Sequence, residues 1–257
     1  MRSDALSLKG LVRLMGIAVV GCLPLLAQAQ GGQRAAVRGP PPWSKQLSGY
    51  WVSLITQNWR LRMVTPAKGD YIGIPLTAAA QKIADAWDPA KDAADGQQCR
   101  AYGAAGIMMR PERLHITQPD EATMQIDIDD GTQTRTLHFG GGAAPADFQP
   151  SWQGYSRARW VSRREYGATG ANAYYLETNT THMLPGYLRQ NGVPYSGNAV
   201  LTEDYDLIDA GAQGTYLILS TTVTDPIYLD YPLILSGIFQ KQPNGDGWDP
   251  TPCSATW

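Results

Sequence analysis

The stretch TMQIDIDDGTQTRTLHF, residues 123–139, indicates the fold class of this 257-residue chain. Its apolar residues recur at every second position, as Met124, Ile126 and Ile128 and then as Leu137 and Phe139. Successive side chains of a β-strand point to opposite faces, so this period of two predicts two strands that each bury one face. Gly131 follows Asp129-Asp130 between them, and an Asp-Gly pair is typical of a tight hairpin turn.

The same period continues through the rest of the chain after residue 100. Further strands are predicted at Leu114–Ile116, Trp152–Val161, Tyr174–Thr181, Ala199–Ile208, Tyr216–Thr224 and Leu233–Lys241. With a run near Trp51 this makes about nine strands, and such a series without intervening helices indicates a sandwich or a barrel. We predict an all-β fold, an antiparallel up-and-down barrel of about 8–10 strands, because closure leaves no exposed edges.

One early helix is predicted before these strands. Pro75-Leu76-Thr77 offers Thr77 as an N-cap residue. The predicted apolar face comprises Leu76, Ala80, Ile83 and Trp87. Pro89 is expected to end the helix, because proline cannot continue the hydrogen-bond pattern.

The N-terminus has the three parts of a secretory signal. Its basic residues are Arg2, Lys9 and Arg13. The apolar stretch Leu14–Leu26 is too short to span a bilayer, and Ala27-Gln28-Ala29 provides a small-x-small cleavage site. Alternatively, Val19-Val20-Gly21-Cys22 fits a lipoprotein signal, which would place a lipid anchor at Cys22. Both interpretations predict export, to the periplasm or out of the cell.

The cleavage site after Ala29 divides the chain into three predicted segments. Residues 1–29 are the signal peptide, and residues 30–46 are a flexible leader because Gly31–Pro42 is rich in glycine and proline. Residues 47–257 are predicted to form a single β-barrel domain with no transmembrane segment.

Charge and cysteine content narrow the class of protein. Removal of residues 1–29 takes three basic residues and Asp4 from a chain of net charge −2 and leaves −4. This balance argues against nucleic-acid binding, which requires clustered Lys and Arg. In an oxidising compartment Cys99 and Cys253, the two cysteines of the mature chain, are expected to form a disulfide.

Two charged residues share strand faces with apolar residues. Parity places Arg135 with Leu137 and Phe139, and it places Glu203 with Tyr205 and neighbouring leucines. A charge inside a barrel costs several kcal/mol unless it is paired. Arg135 and Glu203 are therefore expected to face each other or a ligand. A ligand-facing role is one interpretation. The structural alternatives are an internal ion pair between the two residues, or a one-residue bulge that turns either side chain outward.

The remaining candidate site residues are polar or aromatic. His115 and His138 lie opposite the apolar faces of their strands, which argues against a zinc site and leaves His182, at a strand end, as the candidate histidine. The chain has 8 Trp and 13 Tyr against 3 Phe, a balance suited to half-wet pockets and amphipathic ligands. The candidate ligand-binding residues are Tyr205, Glu177, Trp152 and Trp160.

The chain resembles two groups of proteins. Leu47-Ser48-Gly49-Tyr50-Trp51 resembles the Gly-x-Trp opening of lipocalins, which implies a barrel holding a small apolar molecule. A broader resemblance is to an uncharacterised family of exported bacterial proteins, and it implies no activity. Its motifs are Leu47–Trp51, Pro75–Thr77, Trp87–Pro89, Pro150–Ser156, Asn191–Ser196 and Thr251–Cys253.

Three functions are compatible with these features. The first is an exported binding or carrier protein for a small amphipathic or hydrophobic molecule. The second is a cofactor-independent lyase, isomerase or hydrolase in which Glu203 is the base, Arg135 stabilises negative charge and His182 assists. The third is a carbohydrate-binding module, which predicts a row of exposed Trp and Tyr. The sequence contains no Gly-x-Ser-x-Gly, His-Glu-x-x-His or phosphate-binding glycine motif.

Overall fold

The predicted hairpin and its neighbouring strands appear in a computed structural model that describes residues 40–164, 167, 169 and 173–256. The helices are α1 (Trp59–Arg62), α2 (Ala78–Asp85), α3 (Pro89–Ala94) and α4 (Ala104–Ile107). The strands are β1 (Gly49–Leu54), β2 (Arg113–Thr117), β3 (Thr123–Ile128), β4 (Asp130–Gly131), β5 (Gln133–His138), β6 (Tyr155–Ser162), β7 (Tyr174–Thr181), β8 (Gly186–Arg189), β9 (Val193–Tyr195), β10 (Val200–Asp209), β11 (Thr215–Thr224), β12 (Leu233–Lys241) and β13 (Thr251–Pro252).

Nine strands form a closed barrel, in the order β1-β2-β3-β5-β6-β7-β10-β11-β12 and back to β1. Each strand thus lies beside the barrel strand that precedes it in the chain. Eight of the nine contacts between neighbours are antiparallel. The predicted all-β barrel is confirmed, and its strand number falls within the predicted range. The predicted early helix corresponds to α2, but three shorter helices accompany it in the described residues.

The ninth contact, between β5 and β6, is parallel and differs from the predicted antiparallel pattern. Its registered pairs are Leu137 with Ser156 and His138 with Arg157. An odd number of strands cannot alternate in direction around a closed ring, so one contact must be parallel. Residues 139–154 connect the two strands and loop back, so that β6 starts beside the last residues of β5 and runs in the same direction.

The barrel interior is filled by side chains of its own strands. Burial alternates along β3 and β10 as the period of two requires. The largest apolar contributors to this core include Trp51, Ile116, Met124, Ile126, Leu137, Trp160, Leu207, Leu217 and Phe239. Burial of this apolar area is the main source of stability, at about 25 cal/mol per Å².

A cap covers the end of the barrel at which β1 ends and β12 begins. We define the cap as residues 55–112, which include all four helices, together with the β8–β9 hairpin. It has a second apolar cluster, in which side chains from the cap pack on the ends of β10, β11 and β12. The cluster includes Ala104, Ala105, Leu188, Val193, Tyr195, Leu201, Val223 and Leu233.

Helix α2 begins as predicted but buries a different face. The Thr77 hydroxyl accepts a hydrogen bond from the Ala80 N–H, which confirms the N-cap. The buried residues are Ala80 and Ala84, whereas Ile83 is 40% exposed. The expectation that Pro89 ends this helix was wrong: α2 ends at Asp85, and Pro89 is the first residue of α3. Proline suits that position because its missing N–H would have no partner there.

The predicted disulfide between Cys99 and Cys253 is confirmed, with a Cα–Cα distance of 5.1 Å. It ties the C-terminal tail to the cap. The two residues directly before Cys253 form strand β13, which pairs in parallel with β4 in the hairpin turn. Upstream, Trp248 packs edge-on against Tyr50 and His115 on the outer face of the barrel.

Several N-terminal predictions lie outside the described residues. These are the signal peptide at residues 1–29, the lipid anchor at Cys22 and the leader up to residue 39. The last part of the predicted flexible leader has regular structure instead: Pro42–Gln46 forms a 3₁₀ helix, and Ser44 is buried. None of the helices in the described residues is long and apolar enough to span a membrane.

Candidate functional site

Arg135 and Glu203 meet at the centre of the barrel. Arg135 projects from β5 and Glu203 from β10, two strands separated by β6 and β7, and both side chains are fully buried. Their two hydrogen bonds are 2.5 Å (Nη2 to Oε2) and 2.9 Å (Nη1 to Oε1). The same Nη1 donates to the Tyr205 hydroxyl, at 3.2 Å, and the Thr178 hydroxyl donates to Glu203 Oε2, also at 3.2 Å.

This geometry is that of a closed internal ion pair. Burial acts to lower the pKa of Arg135, but the Glu203 carboxylate and Tyr205 raise it above its ordinary value, so the guanidinium stays charged. In the described part of the chain, neither Arg135 nor Glu203 lines any of the four main surface clefts. The arrangement favours the ion-pair interpretation over a ligand-facing one.

The other predicted site residues are not brought together. Trp160 lies inside the barrel, where it stacks on Phe139 with ring centroids 5.6 Å apart. Glu177 lies on the outer face of β7 and forms an ion pair with Arg159 at 2.6 Å. Trp152 is half-buried in the loop before β6. His182 lies outside the barrel, with its Nδ1 2.9 Å from the Thr181 hydroxyl.

The three histidines are also separate. His115 stacks on Tyr50, and His138 stacks on Tyr155, both on the outer face that strand parity predicts. Among the described residues, no group of three or more His, Cys, Asp and Glu side chains is placed to hold a metal ion.

The most enclosed of these four clefts lies between the cap and the barrel and has a volume of about 300 Å³. We call it the cap cleft. It is bounded by α1, by the residues that follow α4, by β8 and by the start of β12. Its apolar lining residues are Leu61, Met109, Leu188, Ile234 and Leu235. Its most strongly polar ones are Gln57, Arg62, Arg110, Arg189 and Gln190.

The cap cleft is cationic although the chain as a whole has a net charge of −2. Three arginines are among its fourteen lining residues, and no aspartate or glutamate is. Arg110 forms an ion pair with Asp130 through Nε and lies 4.2 Å over the Tyr102 ring. Arg189 donates from Nη1 to the Ile72 carbonyl at 2.9 Å.

Arg62 is held differently from the other two arginines. It is only 8% exposed, and its Nε donates to the Met109 carbonyl at 2.7 Å. Neither of its η nitrogens has a hydrogen-bond partner among the described residues. The same is true of both carboxylate oxygens of nearby Glu112, which is 3% exposed, and of the buried Ser53 hydroxyl. Buried polar groups normally have partners, so these enclosed atoms form an unusual unsatisfied cluster beside the cap cleft.

Burial raises the pKa of Glu112 well above its ordinary range. The charges of Arg110 and Arg62 oppose this rise, and those of Asp130 and Asp129 add to it. Glu112 lines a shallower groove beside the cap cleft, together with Ser53 and Asp129.

We expect Glu112→Gln to stabilise the protein at neutral pH. A carboxyl whose pKa is higher in the folded state binds a proton on folding. Its stabilising contribution is complete below the unfolded pKa of about 4.3 and is lost as pH rises through the folded pKa. Thermal unfolding should give equal melting temperatures near pH 4 and a growing advantage for the variant as pH rises. Glu121→Gln, at an exposed position, is the control; an unchanged pH slope in Glu112→Gln would contradict the prediction.

The cap cleft could not have been found by sequence motif. Its residues come from five places far apart in the chain, at residues 57–62, 106–110, 188–190, 220 and 234–236. The one local signal is the pair of arginines in Trp59-Arg60-Leu61-Arg62, which also occurs on ordinary solvated helices. No protein-family model, curated protein or solved structure matches this chain.

Proposed function

We propose that this chain is an exported binding protein that holds a small amphipathic molecule in the cap cleft. The observation that carries the proposal is the composition of the cleft, which joins an apolar wall to three arginines without an acidic side chain. Its volume of about 300 Å³ lies at the small end of the range for ligand pockets. Export rests on the secretory signal expected at residues 1–29.

The proposed ligand site lies at the end of the barrel, whereas the sequence predicted a ligand in the barrel interior. The interior is occupied by its own side chains, including the Arg135–Glu203 pair. The enzyme alternative needs Glu203 to face a substrate, but both its carboxylate oxygens bind Arg135. The carbohydrate-binding alternative needs a row of aromatic rings. Among the described residues the strongly exposed ones are Trp59, in α1, and Tyr231, in the loop before β12.

A bulky residue in the cap cleft should weaken binding strongly. Ser236 lies at the barrel side of the cleft, where its carbonyl and hydroxyl accept hydrogen bonds from Gln57 at 2.6 and 2.5 Å. We expect Ser236→Trp to weaken binding of the fluorescent amphipathic anion 8-anilinonaphthalene-1-sulfonate at least tenfold, because the indole takes up the available volume. A fluorescence titration measures this.

The matched control is Ser162→Trp, at a half-buried serine of β6 outside the cleft. It should bind the probe as the wild type does. Equal affinity in the two variants would place the binding site elsewhere and refute the proposal. Circular dichroism should confirm that both variants are folded.

A further inference from the structure

The most exposed apolar side chains are concentrated in one region of the surface. Among the described residues, six large apolar or aromatic side chains are more than half exposed, with exposed fractions between 54% and 72%. Three lie in or directly after α1, one in the loop before α2, and two in the loop before β12 or at its start. We call them the apolar rim, which consists of Trp59, Met63, Val64, Ile72, Tyr231 and Ile234. Single exposed apolar residues are ordinary, whereas their concentration in one region marks an interaction site.

Hydrogen bonds join the segments that carry the apolar rim. Just before α1, Gln57 Nε2 donates to the Ser236 carbonyl of β12 at 2.6 Å. In α1, Arg60 pairs with Asp70 of the loop before α2 at 2.8 Å. A carbonyl of the same loop accepts the Asp230 N–H, from the loop before β12, at 2.9 Å. The three segments, residues 57–64, 70–77 and 228–236, therefore form one connected region.

The apolar rim adjoins the cap cleft and its positive charge. Ile234 is one of the residues that line the cleft, and Arg189, another, donates to the Ile72 carbonyl at 2.9 Å. Trp59 lies on α1, which bounds the cleft. The cleft and the three segments together contain four arginines and two aspartates, a net charge of +2 in a chain of net charge −2. The region thus combines exposed apolar area with local positive charge.

We infer that the apolar rim is a docking surface for an anionic lipid membrane. Tryptophan and tyrosine, here Trp59 and Tyr231, are the side chains that favour the boundary between lipid and water. The aliphatic members of the rim can bury their area at the headgroup boundary, and the arginines are attracted by the negative surface potential. The inference is independent of the proposed function, because it concerns the outer surface of the rim and not a ligand inside the cleft.

A second copy of the chain fits this surface less well. A two-fold symmetric dimer buries the same patch of both copies. Such a contact through the apolar rim would bring two positively charged regions together, and like charges that face each other across an interface cost free energy. An anionic bilayer has the opposite sign of charge. The charge of the region therefore favours a lipid surface over self-association.

Vesicle flotation of the purified chain of residues 30–257, which lacks the expected signal, tests the inference. One set of vesicles contains phosphatidylglycerol and phosphatidylcholine in equal parts, and the other contains phosphatidylcholine alone. We expect binding to the anionic vesicles to be at least tenfold tighter and to weaken as salt screens the charges. Absence of binding to the anionic vesicles, or equal binding to both sets, would overturn the inference.

A matched pair of isoleucines tests the location of the surface. Ile234→Ser should weaken binding to the anionic vesicles at least fivefold, and addition of Trp59→Ser should extend the loss beyond tenfold. Ile208→Ser is the control: Ile208 also points outward from a barrel strand, but its strand register places it at the opposite end of the barrel. The changed positions are exposed, and circular dichroism should confirm that the variants are folded. Equal effects of Ile234→Ser and Ile208→Ser would refute the assignment of the surface.

Two further outcomes would overturn the inference in a recognisable way. Sedimentation equilibrium that shows a dimer, dissociated by Ile234→Ser, in a chain that does not bind vesicles would identify the rim as a contact between copies. Ser236→Trp tests the cleft separately and should not weaken vesicle binding, because the apolar rim remains exposed in this variant. If Ser236→Trp abolishes flotation, lipid is held in the cleft and not by the rim. Loss of binding of the anilinonaphthalene probe alone would count against the proposed function and leave the docking surface intact.

Discussion

Glu203→Leu is expected to lower the free energy of unfolding by about 3–5 kcal/mol, the usual cost of removing one partner of a buried ion pair. The variant leaves the Arg135 guanidinium charged in a fully buried position, with the Tyr205 hydroxyl as its remaining side-chain partner. Urea denaturation followed by circular dichroism measures the change. The double variant Arg135→Met with Glu203→Leu should recover most of the loss, because it removes both charges from the interior.

The matched control for this experiment is the surface pair between Arg159 and Glu177. It also joins an arginine and a glutamate on different strands, but its side chains are 44% and 22% exposed. Glu177→Leu should change the unfolding free energy by about 1 kcal/mol or less, since exposed ion pairs contribute little. If Glu203→Leu proves no more destabilising than Glu177→Leu, the buried pair does not support the fold. A loss of probe binding without a loss of stability would instead indicate that Glu203 contacts the ligand.

Removal of the disulfide is expected to lower the free energy of unfolding by about 2–5 kcal/mol. Cys99 and Cys253 are 154 positions apart, and the loop-entropy model assigns the upper part of this range to a closure of that length. The double variant Cys99→Ala with Cys253→Ala should therefore melt at a lower temperature than the oxidised wild type. Wild type treated with a reducing agent is the control and should approach the variant.

A local measurement separates loss of the tail from loss of the fold. The Thr251 N–H donates to the Asp129 carbonyl at 2.9 Å and belongs to the β13–β4 pairing. In the double variant its hydrogen exchange should accelerate strongly, because little apolar area holds this terminus. The Thr222 amide in β11 is the comparison and should remain protected. Equal protection of Thr251 with and without the disulfide would show that the tail is held by other contacts.

The fold class could be predicted because a half-buried strand leaves a period of two in the sequence. β7 and β12 have the predicted bounds, and the other barrel strands lie within a few residues of theirs. The short strands β4, β8, β9 and β13 were not predicted. The buried face of α2 could not be predicted in this way. Hydropathy favours Ile83 over Ala84, whereas the close packing of this helix selects small side chains, and Ala80 and Ala84 are the buried ones.

The candidate site was predictable only in part. Strand parity correctly predicted that Arg135 and Glu203 point inward. It could not distinguish contact between them from contact with a ligand, because the strand period contains no information about distances across the barrel. The cap cleft depends on how the cap packs on the barrel end. Arg62 lies on a helix of four residues whose orientation is set by contacts distant in sequence, such as its bond to Met109.

The number of strands in the barrel has a consequence for how such a fold could change by insertion or deletion. Gain or loss of a β-hairpin alters the strand number by two, so a ring of nine strands becomes one of eleven or seven. Both numbers are odd, and each of those rings would still contain a step at which chain direction does not reverse. The parallel contact between β5 and β6 is in this sense a topological invariant. Hairpin exchange could shift it to another pair of strands, but only the addition or removal of an odd number of strands could eliminate it.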